Sequence, residues 1–303
     1  MRLCILCPGQ GAQTPAMLDN LLAQAPVAEH LHPLLEHVQF DALSTAADPA
    51  RCFQNRYAQP LLVAAGCAVW LALQEAGVQA ALAAGYSVGE LTAHGVAGSL
   101  NASEAIRLAH ARAQAMDQAA PQGYGMMAVK GMRLDALRSL ACDHDLAVAI
   151  VNDEQHAVLA GASTTLKTVC KHMESSLGAH VVHLNVSVPS HTPWLGHATE
   201  SFLLDVKNAR WNAFDCPVLS ALDGSPVDQS DAASHALAHE ISNTLQWSRT
   251  LELSAEMGAD AYFEVGPGNT LVRMVRERFP HAKARSISEF QQFEGAVQWL
   301  KNL

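Results

Sequence analysis

The segment Gly85-Tyr86-Ser87-Val88-Gly89 constrains this chain more than any other. It fits G-x-S-x-G and lies between a short apolar run, 80–85, and a stretch that turns helical after Ser87, the setting in which that motif forms a nucleophile elbow. A serine on a strained strand-to-helix turn needs neighbours without side chains, and the turn presents its Oγ beside the free N–H groups of the helix. Those N–H groups can hold a developing oxyanion. The same residues also read as a plain flexible turn, but the strand before and the helix after favour chemistry.

Such an elbow needs a packed core, and the composition supplies one. Half of the 303 residues are hydrophobic and 16% are charged, below the roughly 25% of ordinary soluble chains, which excludes disorder and allows one large domain or two modest ones. With 19 Lys+Arg against 29 Asp+Glu the formal charge is −10, and no long cationic run offers the contiguous basic surface that nucleic acid requires. The apolar run 61–73 falls short of the roughly 20 residues that cross a hydrocarbon core and reads as a core helix. Residues 1–7 lead straight into Pro8-Gly9-Gln10-Gly11 with no secretory signal, so a cytoplasmic protein without membrane attachment is expected. Seven cysteines, mostly in apolar segments, predict reduced and buried thiols. Cys4 and Cys7 fall on one short strand whose side chains alternate, and no second pair completes a metal site.

Read in order, 3–7 is a buried strand closed by a glycine-rich turn, 60–75 an apolar helix, 80–85 a strand, and a helix begins near Ser103 as its N-cap. Strand and helix alternate, which predicts an α/β fold with a mainly parallel sheet. A different rhythm follows: strand 126–130, helix 134–142, strands 146–151 and 156–160, helix 164–177 and strand 180–186. The order β-α-β-β-α-β is the ferredoxin-like unit. We therefore expect a hydrolase-like parallel-sheet core, 1–123 and 190–303, with an inserted ferredoxin-like α+β subdomain, 124–189, and a cleft between the two. The polar stretch 223–234 is the one candidate linker.

A serine needs a general base, usually histidine, and 15 histidines compete. His191 stands out because Val188-Pro189-Ser190-His191-Thr192-Pro193 holds it between two prolines just after the inserted unit; the bland alternative is a solvated loop histidine. His235 and His239 lie four apart, a metal-ligand spacing that lacks a third ligand. On a helix drawn from 103 to 118, Arg107, His110, Gln114 and Gln118 share one face, whereas Arg112 falls among Ala105, Ala109 and Met116 on the other. A buried arginine needs an anion, which is either a protein carboxylate in a structural bridge or a ligand carboxylate held bidentately. Pro8-Gly9-Gln10-Gly11-Ala12-Gln13 is wrongly spaced for a phosphate-binding loop and suits a backbone N–H donor. Glu264-Val265-Gly266-Pro267-Gly268 reads as a chain reversal, and Arg273, Arg276, Arg278, Lys283 and Arg285 form either a solvated cationic face or a dock for an anionic partner.

In sequence order, the 8–13 loop, Gly85-Tyr86-Ser87-Val88-Gly89-Glu90, Arg112, Val188-Pro189-Ser190-His191 and the 264–268 turn resemble the malonyl-CoA:acyl carrier protein transacylase family over nearly the whole chain. The resemblance implies Ser87 as acylated nucleophile, His191 as its base and Arg112 as the grip on the malonyl carboxylate. It implies an oxyanion hole from the backbone N–H groups of Gln10 and Val88, and a histidine oriented by the main-chain carbonyl of Gln246. No metal or resident cofactor is implied. The substrate is a coenzyme A thioester, malonyl-CoA, and the acceptor is the pantetheine-type arm of an acyl carrier protein. Tyr86 stands where the family has histidine, and Asn152 where it has an asparagine near the cleft. Tyr86, Gly123-Tyr124-Gly125 and the 13–18 segment look more like the malonyltransferase (epsilon) subunit of malonate decarboxylase, which would bring other subunits of that complex as partners. The alternatives are the fatty-acid-synthesis transacylase, a serine thioesterase or esterase that admits water, and a non-catalytic subunit that docks an acyl carrier.

Overall fold

The computed structural model describes every residue of the chain except Ala12, a member of the 8–13 motif that therefore lies outside the described residues. Ten strands are described: β1 (Leu3–Cys7), β2 (Leu82–Gly85), β3 (Tyr124–Lys130), β4 (Ala147–Asp153), β5 (His156–Ala162), β6 (His180–His183), β7 (Val218–Leu219), β8 (Pro226–Val227), β9 (Ala261–Glu264) and β10 (Lys283–Ser286). Six form a sheet in the order β10-β9-β1-β2-β7-β8, parallel throughout except for β8 against β7. Helices cover both faces, so β1 is buried at all five positions. Leu3, Ile5 and Cys7 pack with Leu61, Val69 and Met116, whereas Cys4 and Leu6 pack with Ile150, Trp247 and Tyr262. The two cysteines thus face opposite sides of the sheet, as the alternation predicts.

The other four strands form an antiparallel sheet in the order β4-β5-β3-β6. With the helices Leu134–Asp143 and Ser163–Leu177 between them, they have the chain order and strand order of a ferredoxin-like unit. One face buries its own core of Met127, Leu137, Leu159, Leu166 and Met173. The opposite face sets Met126, Ile150, Val158 and Ala160 against Leu6, Leu82 and Trp247 of the larger layer. The edge strand β4 is tied down as well, for Leu245 N–H donates to Ala149 O at 3.0 Å and Val151 N–H to Leu245 O at 2.8 Å. The fold is therefore mixed α/β, with a parallel-sheet core and a smaller antiparallel sheet.

Several boundaries differ from the sequence reading, each for a local reason. The apolar helix spans Asn55–Glu75, one turn earlier than Pro60, because the Tyr57 and Ala58 N–H groups bond to Gln54 O at 2.9 and 2.8 Å and close that turn without the missing proline N–H. It is long and apolar enough to cross a membrane, yet 83% of its most apolar window is buried inside the protein. The helix Ala102–Ala119 is capped by Asn101, whose side chain accepts from Glu104 N–H at 2.8 Å, and not by Ser103. The strand read as 180–186 stops at His183, and the stretch read as a linker holds β8 and the start of the helix Ser230–His239.

Ser87 is positioned by the register of β1 on β2, which pairs Cys7 with Gly85 and so sets the loop after one strand against the turn after the other. Contact is too close for side chains. A Cβ on Gly89 would lie 2.1 Å from the Cys7 carbonyl oxygen, and one on Gly9 would lie 2.3 Å from that of Tyr86. Gly89→Ala should lower stability by about 1–3 kcal/mol or more, because backbone must move. Gly123→Ala, where φ is +76° but nothing lies within 4 Å, should cost about 1–2 kcal/mol. Urea denaturation of both variants checks the ordering, and only Gly89→Ala should also slow labelling of Ser87 by a serine-directed reagent.

Candidate active site

Ser87 sits at the centre of the Gly85–Gly89 turn at φ +56°, a left-handed conformation that costs a non-glycine residue about 1–3 kcal/mol and that surrounding structure must enforce. Tyr86 N–H donates to Cys7 O at 2.9 Å and Glu90 N–H to Ser87 O at 2.8 Å, holding both sides of the turn. Ser87 remains partly exposed at the seam between the two sheets. Its Oγ lies 2.8 Å from His191 Nε2, so the predicted nucleophile and base meet across 104 positions of sequence. His191 is also left-handed, φ +62°, with its N–H donating to Ile241 O at 2.8 Å.

His191 Nδ1 lies 2.5 Å from the backbone oxygen of Glu240. A carbonyl only accepts, so Nδ1 carries the proton and Nε2 is left as acceptor for the Ser87 hydroxyl. The orienting carbonyl is therefore that of Glu240 and not that of Gln246, which corrects the expectation. Gln246 caps the helix Trp247–Glu256, and its carbonyl accepts from Arg249 and Thr250 N–H at 2.9 and 3.1 Å. Burial, reinforced by the Arg112 cation, lowers the His191 pKa to about 3, with the Glu240 hydrogen bond opposing the shift. The imidazole is a neutral base throughout the physiological range.

The two proposed oxyanion donors lie on the facing loops just described. Among the described residues, neither Gln10 N–H nor Val88 N–H donates to a protein acceptor, whereas Gly11 N–H is taken by Gln13 Oε1 at 2.6 Å.

Arg112 is wholly buried, and both alternatives left open by its helix position bear on it. Its Nη2 donates to Glu240 Oε1 at 2.8 Å, a structural bridge, and lies 3.3 Å from Ser87 Oγ, within reach of anything bonded there. Nη1 donates to Gln59 Oε1 at 3.0 Å. Gln59 in turn reaches Gln10 Oε1 at 3.2 Å, joining the guanidinium to the first loop. A second carboxyl, Glu90, is fully buried nearby and accepts from Ala221 N–H at 2.8 Å. Burial raises the Glu90 pKa well above the carboxylate range, with Glu240 adding to the rise. Burial also raises Glu240, to about 7, against the pull of Arg112.

Tyr86 packs edge-on against Trp247 with ring centres 5.2 Å apart, and its hydroxyl donates to Asn152 Oδ1 at 3.1 Å. Asn152 on β4 continues to His156 at 3.3 Å, so the two residues noted beside the family pattern link the elbow to the smaller sheet. Gly266 of the 264–268 turn packs on Pro8, where a Cβ would lie 2.8 Å from its ring. Elsewhere the cationic cluster is largely spent within the chain: Arg276 and Arg285 pair with Glu289 at 2.7 and 3.5 Å, and Arg278 pairs with Glu252. His235 and His239 stack on each other with ring centres 4.0 Å apart.

Sequence reading missed Gln59, Glu240 and the buried state of Glu90. Gln59 sits in the unread turn before Pro60; a polar residue opening an apolar run was its only signal. Glu240 carried none.

Because the His191 pKa is lowered, the base keeps its neutral form as pH falls past 6.5, so Ser87 labelling by a fluorophosphonate should stay flat down to about pH 5. His191→Ala should slow it by about 100-fold or more. Arg112→Ala should cost about 3–5 kcal/mol in urea titrations at pH 8, because it strands the Glu240 charge. The cost should shrink towards pH 6: folded Glu240, its pKa raised, then holds a proton that the unfolded chain has released, so stability falls as pH rises.

The Acyl transferase domain family model matches residues 5–296. The malonyl CoA-acyl carrier protein transacylase of Escherichia coli (strain K12) is 28% identical over 300 residues, covering 96% of this chain and 97% of that protein. That of Bacillus subtilis (strain 168) is 25% identical, covering 99% and 98%. Among solved structures, the malonyl CoA-acyl carrier protein transacylase of Coxiella burnetii superposes with a TM-score of 0.91 at 25% identity, covering 100% of this chain and 98% of that one. A malonyl-transacylase in complex with its type II PKS acyl-carrier protein superposes at 0.90 and 25% identity, with both chains fully covered. A family match over all but the chain's ends, on a fold that brings a serine, a neutral histidine and a buried arginine together, establishes that this chain belongs to the acyl transferase domain family and is an acyltransferase.

Proposed function

We propose that the protein is a malonyl-CoA:acyl carrier protein transacylase working through a malonyl-Ser87 intermediate. The observation that carries this reading is the 3.3 Å between Ser87 Oγ and Arg112 Nη2, since an acyl group esterified to that oxygen and ending in a second carboxylate reaches the guanidinium within three carbons. His191 Nε2 takes the Ser87 proton as Oγ attacks the thioester carbonyl, and the Gln10 and Val88 N–H groups receive the oxyanion. Collapse breaks the C–S bond, and His191 returns the proton to the coenzyme A thiolate. The carrier's thiol then attacks the serine ester, its proton passing through His191 back to Ser87 Oγ. Glu240 bears on which acyl group is accepted. Its carboxylate already neutralises Arg112, so an acetyl group leaves no bare cation behind, and discrimination rests on the malonyl carboxylate outcompeting a protein one.

The relatives named above favour an ordinary pantetheine carrier, as in fatty-acid synthesis. The narrower assignment to malonate decarboxylase rests on Tyr86, the 123–125 segment and the 13–18 segment alone. On either reading we take 124–189 as an inserted subdomain between core halves 1–123 and 190–303, and the cytoplasm as the place of reaction. The intrachain pairing of Arg276, Arg278 and Arg285 supports catalysis over a mere docking role.

Intact-protein mass measurement tests the proposal. Mixing with malonyl-CoA should add one malonyl mass, lost in Ser87→Ala and persistent until a thiol carrier is added; rapid loss to free malonate would make the protein a thioesterase. Offered both carriers, the protein should load the pantetheine-bearing one, and preference for one with a phosphoribosyl-dephospho-CoA arm would return the assignment to malonate decarboxylase.

A further inference from the structure

A single nitrogen serves two masters in this site. Arg112 Nη2 donates to Glu240 Oε1 at 2.8 Å and faces Ser87 Oγ at 3.3 Å, so a carboxylate arriving on Ser87 meets a donor already bound to another carboxylate. Glu240 cannot turn to water, being fully buried, as is Arg112. Among the described residues, neither Glu240 Oε2 nor Arg112 Nε has a hydrogen-bond partner, so the fork is incompletely used.

We propose that Glu240 is a positioning residue that sets acyl specificity: it holds Arg112 while the site is empty and yields it to the substrate carboxylate by taking up one proton. The inference rests on the transacylase reading and deepens it. Two carboxylates on one guanidinium in a dry site repel each other, and the one that can be neutralised is the one built into the protein. The groups facing the Glu240 side chain are Arg112 on the helix Ala102–Ala119 and Glu90 on the helix Gly89–Val96, while His191 faces its carbonyl. Glu90 adds repulsion whenever it ionises, and neutral His191 adds none. Burial already raises the Glu240 pKa to about 7 against the pull of Arg112, so the exchange is accessible at ordinary pH. The balance closes. Acylation moves the Ser87 proton through His191 to the leaving thiol with no net change, and the additional proton comes from solvent onto Glu240.

Proton uptake during adduct formation, followed with an indicator dye in weak buffer alongside intact mass, tests this. In the wild-type protein, corrected for ionisation of the released thiol, uptake should rise from nearly none at pH 6 to about one per malonyl adduct at pH 8. Glu240→Gln should abolish that uptake and flatten the alkaline fall of kcat/KM, which in the wild type should steepen to about tenfold per pH unit. An adduct that forms with no pH-dependent uptake in the wild type overturns the inference even if the variant fails to fold. Equal uptake or an identical alkaline limb in both proteins overturns it too. Absence of any Ser87 adduct would instead remove the transacylase reading and this inference with it.

Discussion

A guanidinium taken wholly out of water must be matched by charge and by geometry, and the site around Arg112 is organised by that requirement. Glu240 supplies the charge and Gln59 a neutral acceptor. These partners come from a helix far earlier in the chain and a loop far later, so satisfying one arginine ties three segments of the core together. The same cation lies beside Ser87 and helps to keep His191 unprotonated. One charge thereby supports the fold, helps to keep the imidazole neutral and lies within reach of Ser87 Oγ.

Glu240 contributes twice from one residue. Its backbone oxygen fixes the proton on His191 Nδ1, and its side chain pairs with Arg112. Any movement of this residue is felt at both the imidazole and the guanidinium. The serine is held just as tightly. Its left-handed backbone persists because the loop after β1 presses against the turn after β2, at a distance only glycine permits. The smaller sheet closes the other side through Asn152, which accepts from the hydroxyl of Tyr86, itself packed edge-on against Trp247.

Much of this was legible before any coordinates. The 85–89 motif marked Ser87 as the residue on a strained turn because its glycines, its preceding strand and its following helix each state the same steric demand. Helical periodicity turned Arg112 inward, and the β-α-β-β-α-β rhythm identified the smaller sheet. Gln246 was misjudged because a main-chain carbonyl has no side-chain signature; any residue can offer one. Gln59 escaped because its helix turn lies ahead of a proline, where the apolar periodicity has not begun, although the Tyr57 and Ala58 N–H groups close that turn onto Gln54 O.

What the sequence determined by itself was therefore local: which serine sits on a strained turn, which face of a helix carries an arginine, and which strands alternate or run buried. Tertiary structure decided the pairings, namely that His191 meets Ser87, that Glu240 meets both His191 and Arg112, and that Gln59 bridges Arg112 to the first loop. Periodicity and turn chemistry act over a few residues and leave a trace in composition. A hydrogen bond between residues 49 or 128 positions apart leaves none, because it exists only once the chain has folded.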